Sequence, residues 1–161
     1  MLIREVITIE ASLEVVWSVF TCLEDWEKWN SVCQAAFKKD STGAKACSVK
    51  PISQGDCISF AITPIIFPIR IRPRVTKCIP EKEVVWEGAR LGIRAAHTFT
   101  FTRNEEGYVV VTSTEKLRGP GLVLSRLVFV PSRLHQLTRQ LLFALKEEAE
   151  SRALSGSAIE D

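Results

Sequence analysis

The chain has 161 residues, of which 46% are hydrophobic and 25% charged, with a formal net charge of +2. This length predicts one domain with a sizeable core, the charge balance gives no global pull toward nucleic acid, and no apolar run reaches membrane-spanning length. The five cysteines, Cys22, Cys33, Cys47, Cys57 and Cys78, are odd in number and show no CxxC spacing, which predicts reduced thiols and a cytoplasmic setting rather than a disulfide framework.

Leu2 to Ala11 alternates, with Ile3, Ile7 and Ile9 on one face, and reads as a half-buried strand. It carries charges throughout, so it is neither a signal peptide nor an anchor. Ser12 is placed to cap a short helix whose one face carries Leu13, Val16, Trp17 and Phe20. A second short helix, LEDWEKWN, brings Trp26 and Trp29. Strands follow. Cys33–Lys39 and Ala46–Lys50 flank the polar turn DSTGA, and Gly55-Asp56 opens a strand with Ile58, Phe60 and Ile62 alternating. Pro64 and Pro68 bracket an irregular link. Phe67–Ile79 alternates Ile69, Ile71, Pro73 and Val75 against Arg70, Arg72, Arg74 and Thr76, with Pro73 marking a bulge or an edge. Glu83–Gly88, Gly92–Arg103 and Tyr108–Arg118 complete the strands, and Gly119-Pro120-Gly121 breaks the last of them.

The segment Gly119 to Arg152 reads as a long terminal helix. Leu134, Leu137, Leu141, Leu142, Leu145 and Ala149 form an apolar stripe of helical period, and Pro131 supplies a bend. The half before it, Leu122–Val130, is apolar almost all round and must be covered on most sides. Residues 1–154 are expected to form the single domain, and the small polar tail 155–161 to fray. The order is one strand, two short helices, about six strands and a long helix, which implies an α+β protein with an antiparallel sheet. One sheet and one helix bury both apolar faces only if the sheet curls round the helix, and such a curl leaves a cavity.

The opening ITIEASLEVVWSVFTCLEDWEKWN resembles that of the START-like superfamily, also called SRPBCC or birch-pollen-allergen-like, at Ala11, Val16, Trp17, Trp29 and Asn30. VVWEG, HTFTF and EEGYVVVTSTEKLRG resemble the closing strands of its polyketide cyclase/dehydrase and lipid-transport branch. Ser12-Leu13 replaces the branch's usual proline after the small residue, and the middle, Cys33–Pro68, departs most from the pattern. The resemblance implies a helix-grip fold of about six to seven strands with an apolar cavity. It also implies binding of lipids, sterols, polyketides or other hydrophobic molecules, with cyclisation or dehydration in some members.

The turn Asn104–Gly107 suits a three-residue hairpin loop with Gly107 in the left-handed position. It sets Phe101 opposite Val111, Phe99 opposite Ser113, and His97 opposite Glu115. These six residues, with Trp86, Leu127, Leu134 and Thr138, are the candidate ligand-binding set. A carboxylate beside His97 is expected to raise the imidazole pKa and lower that of Glu115. The pair reads as a polar anchor or structural contact before it reads as an acid/base pair.

Trp86 reads equally as cavity wall or core, Trp17 and Trp29 as core, and His135 as a solvent-edge histidine. Arg70, Arg72 and Arg74 read as an outward solvated stripe, or else a surface for acidic head groups or an acidic partner. Leu122–Val130 reads as core, a ligand gate, a homodimer contact or a membrane-docking surface, and Phe143 projects opposite the helix stripe. With only His97 and His135 and no His/Cys cluster, neither metal nor cofactor is expected, and no nucleic-acid partner is. Three functions follow: a binding module for a hydrophobic small molecule, a cyclase or dehydratase using His97 and Glu115 as acid and base, or an interaction protein docking a partner or membrane through Leu122–Val130.

Overall fold

A computed structural model describes residues 1–39, 50–63, 68–90, 92–123 and 131–157. The opening strand β1 (Leu2–Ile9) buries Ile3 and Ile9 and sends Leu2, Arg4, Val6 and Thr8 outward. Ser12 then starts α1 (Leu13–Thr21): its hydroxyl accepts from the Val15 amide at 3.3 Å, taking one of the donors a helix start leaves free. Val16, Val19 and Phe20 give this helix its buried face. A 3-10 turn at Leu23–Asp25 leads into the single-turn α2 (Trp26–Trp29). There Trp26 donates its indole N–H to the Phe20 carbonyl at 2.9 Å. The side-chain oxygen of Asn30 ends the turn by accepting from the amides of Val32 and Cys33 at 2.9 and 3.0 Å.

Among the described residues seven more strands follow: β2 (Gln34–Lys39), β3 (Cys57–Ile62), β4 (Ile69–Ile71), β5 (Arg74–Ile79), β6 (Glu83–Arg90), β7 (Ile93–Arg103) and β8 (Val109–Arg118). All pairings are antiparallel, in the order β1-β8-β7-β6-β5-β3-β2, with β4 beside β3. The expected strand Phe67–Ile79 is two strands, because Pro73 has no amide to give the ladder and the chain breaks at Arg72-Pro73. The expected strand at 46–50 lies, apart from Lys50, outside the described residues, as do Pro64 and 124–130.

The hairpin joining β7 to β8 closes as its residues dictate. Gly107 takes φ +86°, and the Asn104 amide donates to the Tyr108 carbonyl at 3.0 Å. The ladder then pairs Phe101 with Val111, Phe99 with Ser113 and His97 with Glu115.

Residues 121–123 are helical, and α3 runs from Pro131 to Ser157, past the expected end at Arg152. Its stripe buries Leu137, Leu141, Leu142, Leu145 and Ala149. Four hydrogen bonds tie the helix to β1 and the residue after it. Glu5 accepts from His135 at 2.6 Å and Arg139 at 2.8 Å, Lys146 donates to the Thr8 carbonyl at 2.9 Å, and the Glu10 amide donates to Glu150 at 2.8 Å. His135 sits at the solvent edge, as its place on the shoulder of the stripe suggests, and is hydrogen-bonded there to Glu5 of β1. A curved antiparallel sheet gripping a long terminal helix, with short helices after the first strand, is an α+β helix-grip arrangement.

Aromatic rings fill one half of the concave face. Phe20 stacks on Trp86 with ring centres 5.9 Å apart, and meets Phe99 at 4.7 Å, Phe101 at 5.3 Å and Trp26 at 5.7 Å. Offset and tilted pairs of this kind each add about 0.5–1.5 kcal/mol beyond area burial. Trp17 closes on the edge of Phe101 at 5.2 Å. The helices α1 and α2 therefore plug the end of the sheet nearest the β7–β8 turn, and the other end stays open.

Candidate functional site

The open end encloses a cavity of about 330 Å³ between the sheet and the first turns of α3. Val32, Cys33, Phe60 and Trp86 form its inner end, and Leu134, Leu137, Thr138 and Leu141 its helix wall. Ala95, His97, Glu115 and Leu117 form the wall from β7 and β8. Exposed lining residues mark the mouth: Met1, Arg72, Arg90 and Val123. Gly119 shapes that end. Its φ is +122°, and a Cβ there would come within 2.2 Å of the Gly92 carbonyl oxygen, so only glycine lets β8 turn into the helical residues 121–123.

His97 and Glu115 enter from adjacent strands, as the register demands. Their electrostatics differ from the expectation. The His97 Nε2 shares a hydrogen bond with Ser113 Oγ at 2.7 Å, and the ring lies over Phe99 at 4.2 Å and on the edge of Trp86 at 5.6 Å. Burial pushes its pKa down to about 3, so the imidazole is neutral near pH 7. The Glu115 carboxyl has no hydrogen-bond or charged partner among the described residues, and burial alone pushes it up to about 7. The expected mutual stabilisation of imidazolium and carboxylate does not occur: desolvation exceeds the attraction, because each charge would have to form in apolar surroundings.

Chemically, Glu115 is an acid on the cavity wall with no hydrogen-bond partner among the described residues. Near neutral pH it exchanges between a neutral acid, which donates to a carbonyl or hydroxyl, and a carboxylate, which accepts. His97 is committed to Ser113 and stays uncharged. Cys33, at the inner end, is pushed up to about 12 by burial and is an inert thiol at pH 7. Among the described residues, no group of three or more His, Cys, Asp or Glu side chains is placed to hold a metal.

Of the expected binding set, Trp86, His97, Glu115, Leu134 and Thr138 line the cavity. Phe99, Phe101, Val111 and Ser113 do not. They are at most 2% exposed, because α1 covers the half of the concave face they share. Leu127 lies outside the described residues. Trp86 is both wall and core: it lines the cavity and stacks on Phe20. Cys33, Phe60, Leu137 and Arg90 were missed as lining residues. Leu137 had a signal in the helix stripe one turn from Leu134, and Phe60 one in its alternation, whereas Cys33 depends on the turn that Asn30 makes. Glu5 also had a signal, as the one charge among the inward positions of β1.

The sequence matches, over residues 2–150, the family described as polyketide cyclase / dehydrase and lipid transport. No curated protein matches it. Among solved structures, a hypothetical protein from Helicobacter pylori superposes with a TM-score of 0.74 at 12% identity, covering 92% of this chain and 88% of that one. A START superfamily protein from Mycobacterium smegmatis superposes at 0.60 with 10% identity, covering 96% and 97%. The di-domain ARO/CYC StfQ of the steffimycin biosynthetic pathway superposes at 0.68 with 14% identity, covering 94% of this chain and 52% of its own. At such identities the likeness is one of fold.

Proposed function

The chain belongs to the polyketide cyclase / dehydrase and lipid transport family, and on that footing we propose that it holds a hydrophobic small molecule in the hollow between sheet and α3, with Glu115 as its polar anchor. The observation that carries this reading is a mostly apolar cavity with a carboxyl group on its wall that meets no hydrogen-bond partner among the described residues. Binding sites of this kind combine apolar walls with a few placed polar groups. A ligand hydroxyl or carbonyl at Glu115 gives the half-buried carboxyl a hydrogen-bond partner in apolar surroundings, where such a bond is stronger than in water.

Native mass spectrometry of freshly purified protein tests the reading. An apolar compound travelling with the chain, and displaced by hydrophobic probes, is the expected result. Protein that arrives empty and leaves such probes unbound sinks it.

The pKa of Glu115, near 7, favours a second reading, in which the same carboxyl acts as the proton donor of a cyclisation or dehydration. His97, neutral and bonded to Ser113, is not its acid partner. Glu115→Gln that leaves ligand affinity intact but abolishes turnover supports the enzyme; loss of affinity with no turnover in either protein supports the carrier.

A further inference from the structure

The mouth of the cavity has a chemistry of its own. Two exposed guanidinium groups line it, Arg72 and Arg90. Neither meets a carboxylate among the described residues. Arg90 donates to the Arg70 carbonyl, which fixes the direction of its fork and leaves other N–H donors free.

Arg72 is there because the strand breaks. Continuous alternation would send Arg72 outward with Arg70 and Arg74, but the interruption between β4 and β5 puts Arg72 and the buried Pro73 on the cavity side.

The surroundings reinforce the sign of the charge. On the outer face of the same sheet end, Arg94 is the direct register partner of Arg118, and such like-charge pairs are destabilising on their own. Arg70 and Arg74 lie at this end too, and Glu87, opposite Arg74, is an acid among them. Cations gathered at the rim of a low-dielectric cleft focus a positive field into it.

Resting on the reading of the cavity as a hydrophobic-ligand site, we propose that Arg72 and Arg90 form an anion-binding rim, so that the molecule held is an amphipathic acid. Its carboxylate or phosphate end sits at the mouth and its apolar body lies along Leu137 toward Trp86. The placement suits both ends. A carboxylate deep in the hollow would lose its hydration beside Glu115, whereas at the mouth it stays wet and meets planar forks that match its geometry. Arg90 lies four positions beyond Trp86 on the same strand and face, which separates the two ends by about 13 Å.

The test compares dodecanoate, dodecyl phosphate and dodecan-1-ol, titrated at low salt against the wild-type chain and the Arg72→Gln/Arg90→Gln double variant. Both substituted positions are exposed, and unchanged melting temperature confirms that the variant is folded. The wild type should bind an anionic probe at least about tenfold tighter than the alcohol. The double variant should bind both alike, with affinity for the alcohol unchanged. The better of dodecanoate and dodecyl phosphate identifies the head group. Equal wild-type affinity for anion and alcohol, or a preference that survives the double substitution, overturns the anionic rim while leaving the hydrophobic-ligand reading in place. Failure of all three probes to bind counts against both.

Discussion

Glu115 and His97 stand directly opposite each other on β8 and β7, and the imidazole is bonded to Ser113 instead. Two titratable groups share one hollow without sharing a proton, and the same apolar walls shift each toward its neutral form.

Their contributions to stability run in opposite directions with pH. An unfolded chain releases the Glu115 proton near 4.5, while the folded one keeps it to about 7, so stability falls as pH rises between these values. An unfolded His97 takes up a proton below 6.5, while the folded one refuses it down to about 3, so stability falls as pH drops through that window. Urea unfolding at several pH values separates them. Glu115→Gln should gain on the wild type by on the order of 3 kcal/mol from pH 4.5 to 7. His97→Gln should gain on it as pH falls from 6.5 to 3. A Glu115→Gln difference that does not change with pH would contradict this account.

Phe20 is in contact with Trp26, Trp86, Phe99 and Phe101 and is fully buried. Phe20→Ala should cost about 3–5 kcal/mol, a large share of the stability of an ordinary domain. The denaturation midpoint reports it. A loss below about 1 kcal/mol would mean that the ring cluster does not hold the plugged half of the sheet.

The Glu5 carboxylate joins β1 to His135 and Arg139 of α3. Burial acts to raise its pKa, but the hydrogen bonds and charges of Arg139 and His135 prevail and hold it below 4.5. The stability it adds is therefore present above 4.5 and is lost as pH falls through the lowered value. Glu5→Gln should cost about 1–2 kcal/mol at pH 7 and little at pH 2. A cost that is the same at both values would assign the effect to packing rather than charge.

Gly119→Ala places a methyl group against the Gly92 carbonyl in a backbone region that side chains avoid. It should destabilise the fold by more than about 1 kcal/mol. Because Gly92 also accepts from the Gly121 amide, the mouth should shift and ligand affinity should fall more than Gly107→Ala makes it fall. Equal effects of the two variants on affinity would separate the junction from the mouth.

What the sequence made legible was whatever depends on neighbours along the chain. The turn Asn104–Gly107 is short and its glycine has one good conformation, so the pairing of His97 with Glu115 follows from counting. The stripe from Leu134 to Ala149 follows from helical period. What stayed hidden depends on elements distant in sequence. Phe99 and Phe101 alternate like cavity residues, and only the docking of α1 onto them turns them into core. Arg72 alternates like an outward residue, and only the break at Pro73 sends it to the mouth. The charge states of His97 and Glu115 were misjudged because proximity along a ladder is visible in a sequence and loss of hydration is not.

The fastening of α3 to β1 has a consequence for how the protein is made. Glu5 leaves the ribosome 130 residues before His135, the ring it must meet. Throughout that interval the part of the sheet's greasy inner surface that α1 does not cover has no lid of its own. Contacts this remote in sequence close late and slowly, so assembly finishes only after the closing rod has been synthesised, and the growing chain is the stage at which shielding by a chaperone matters most.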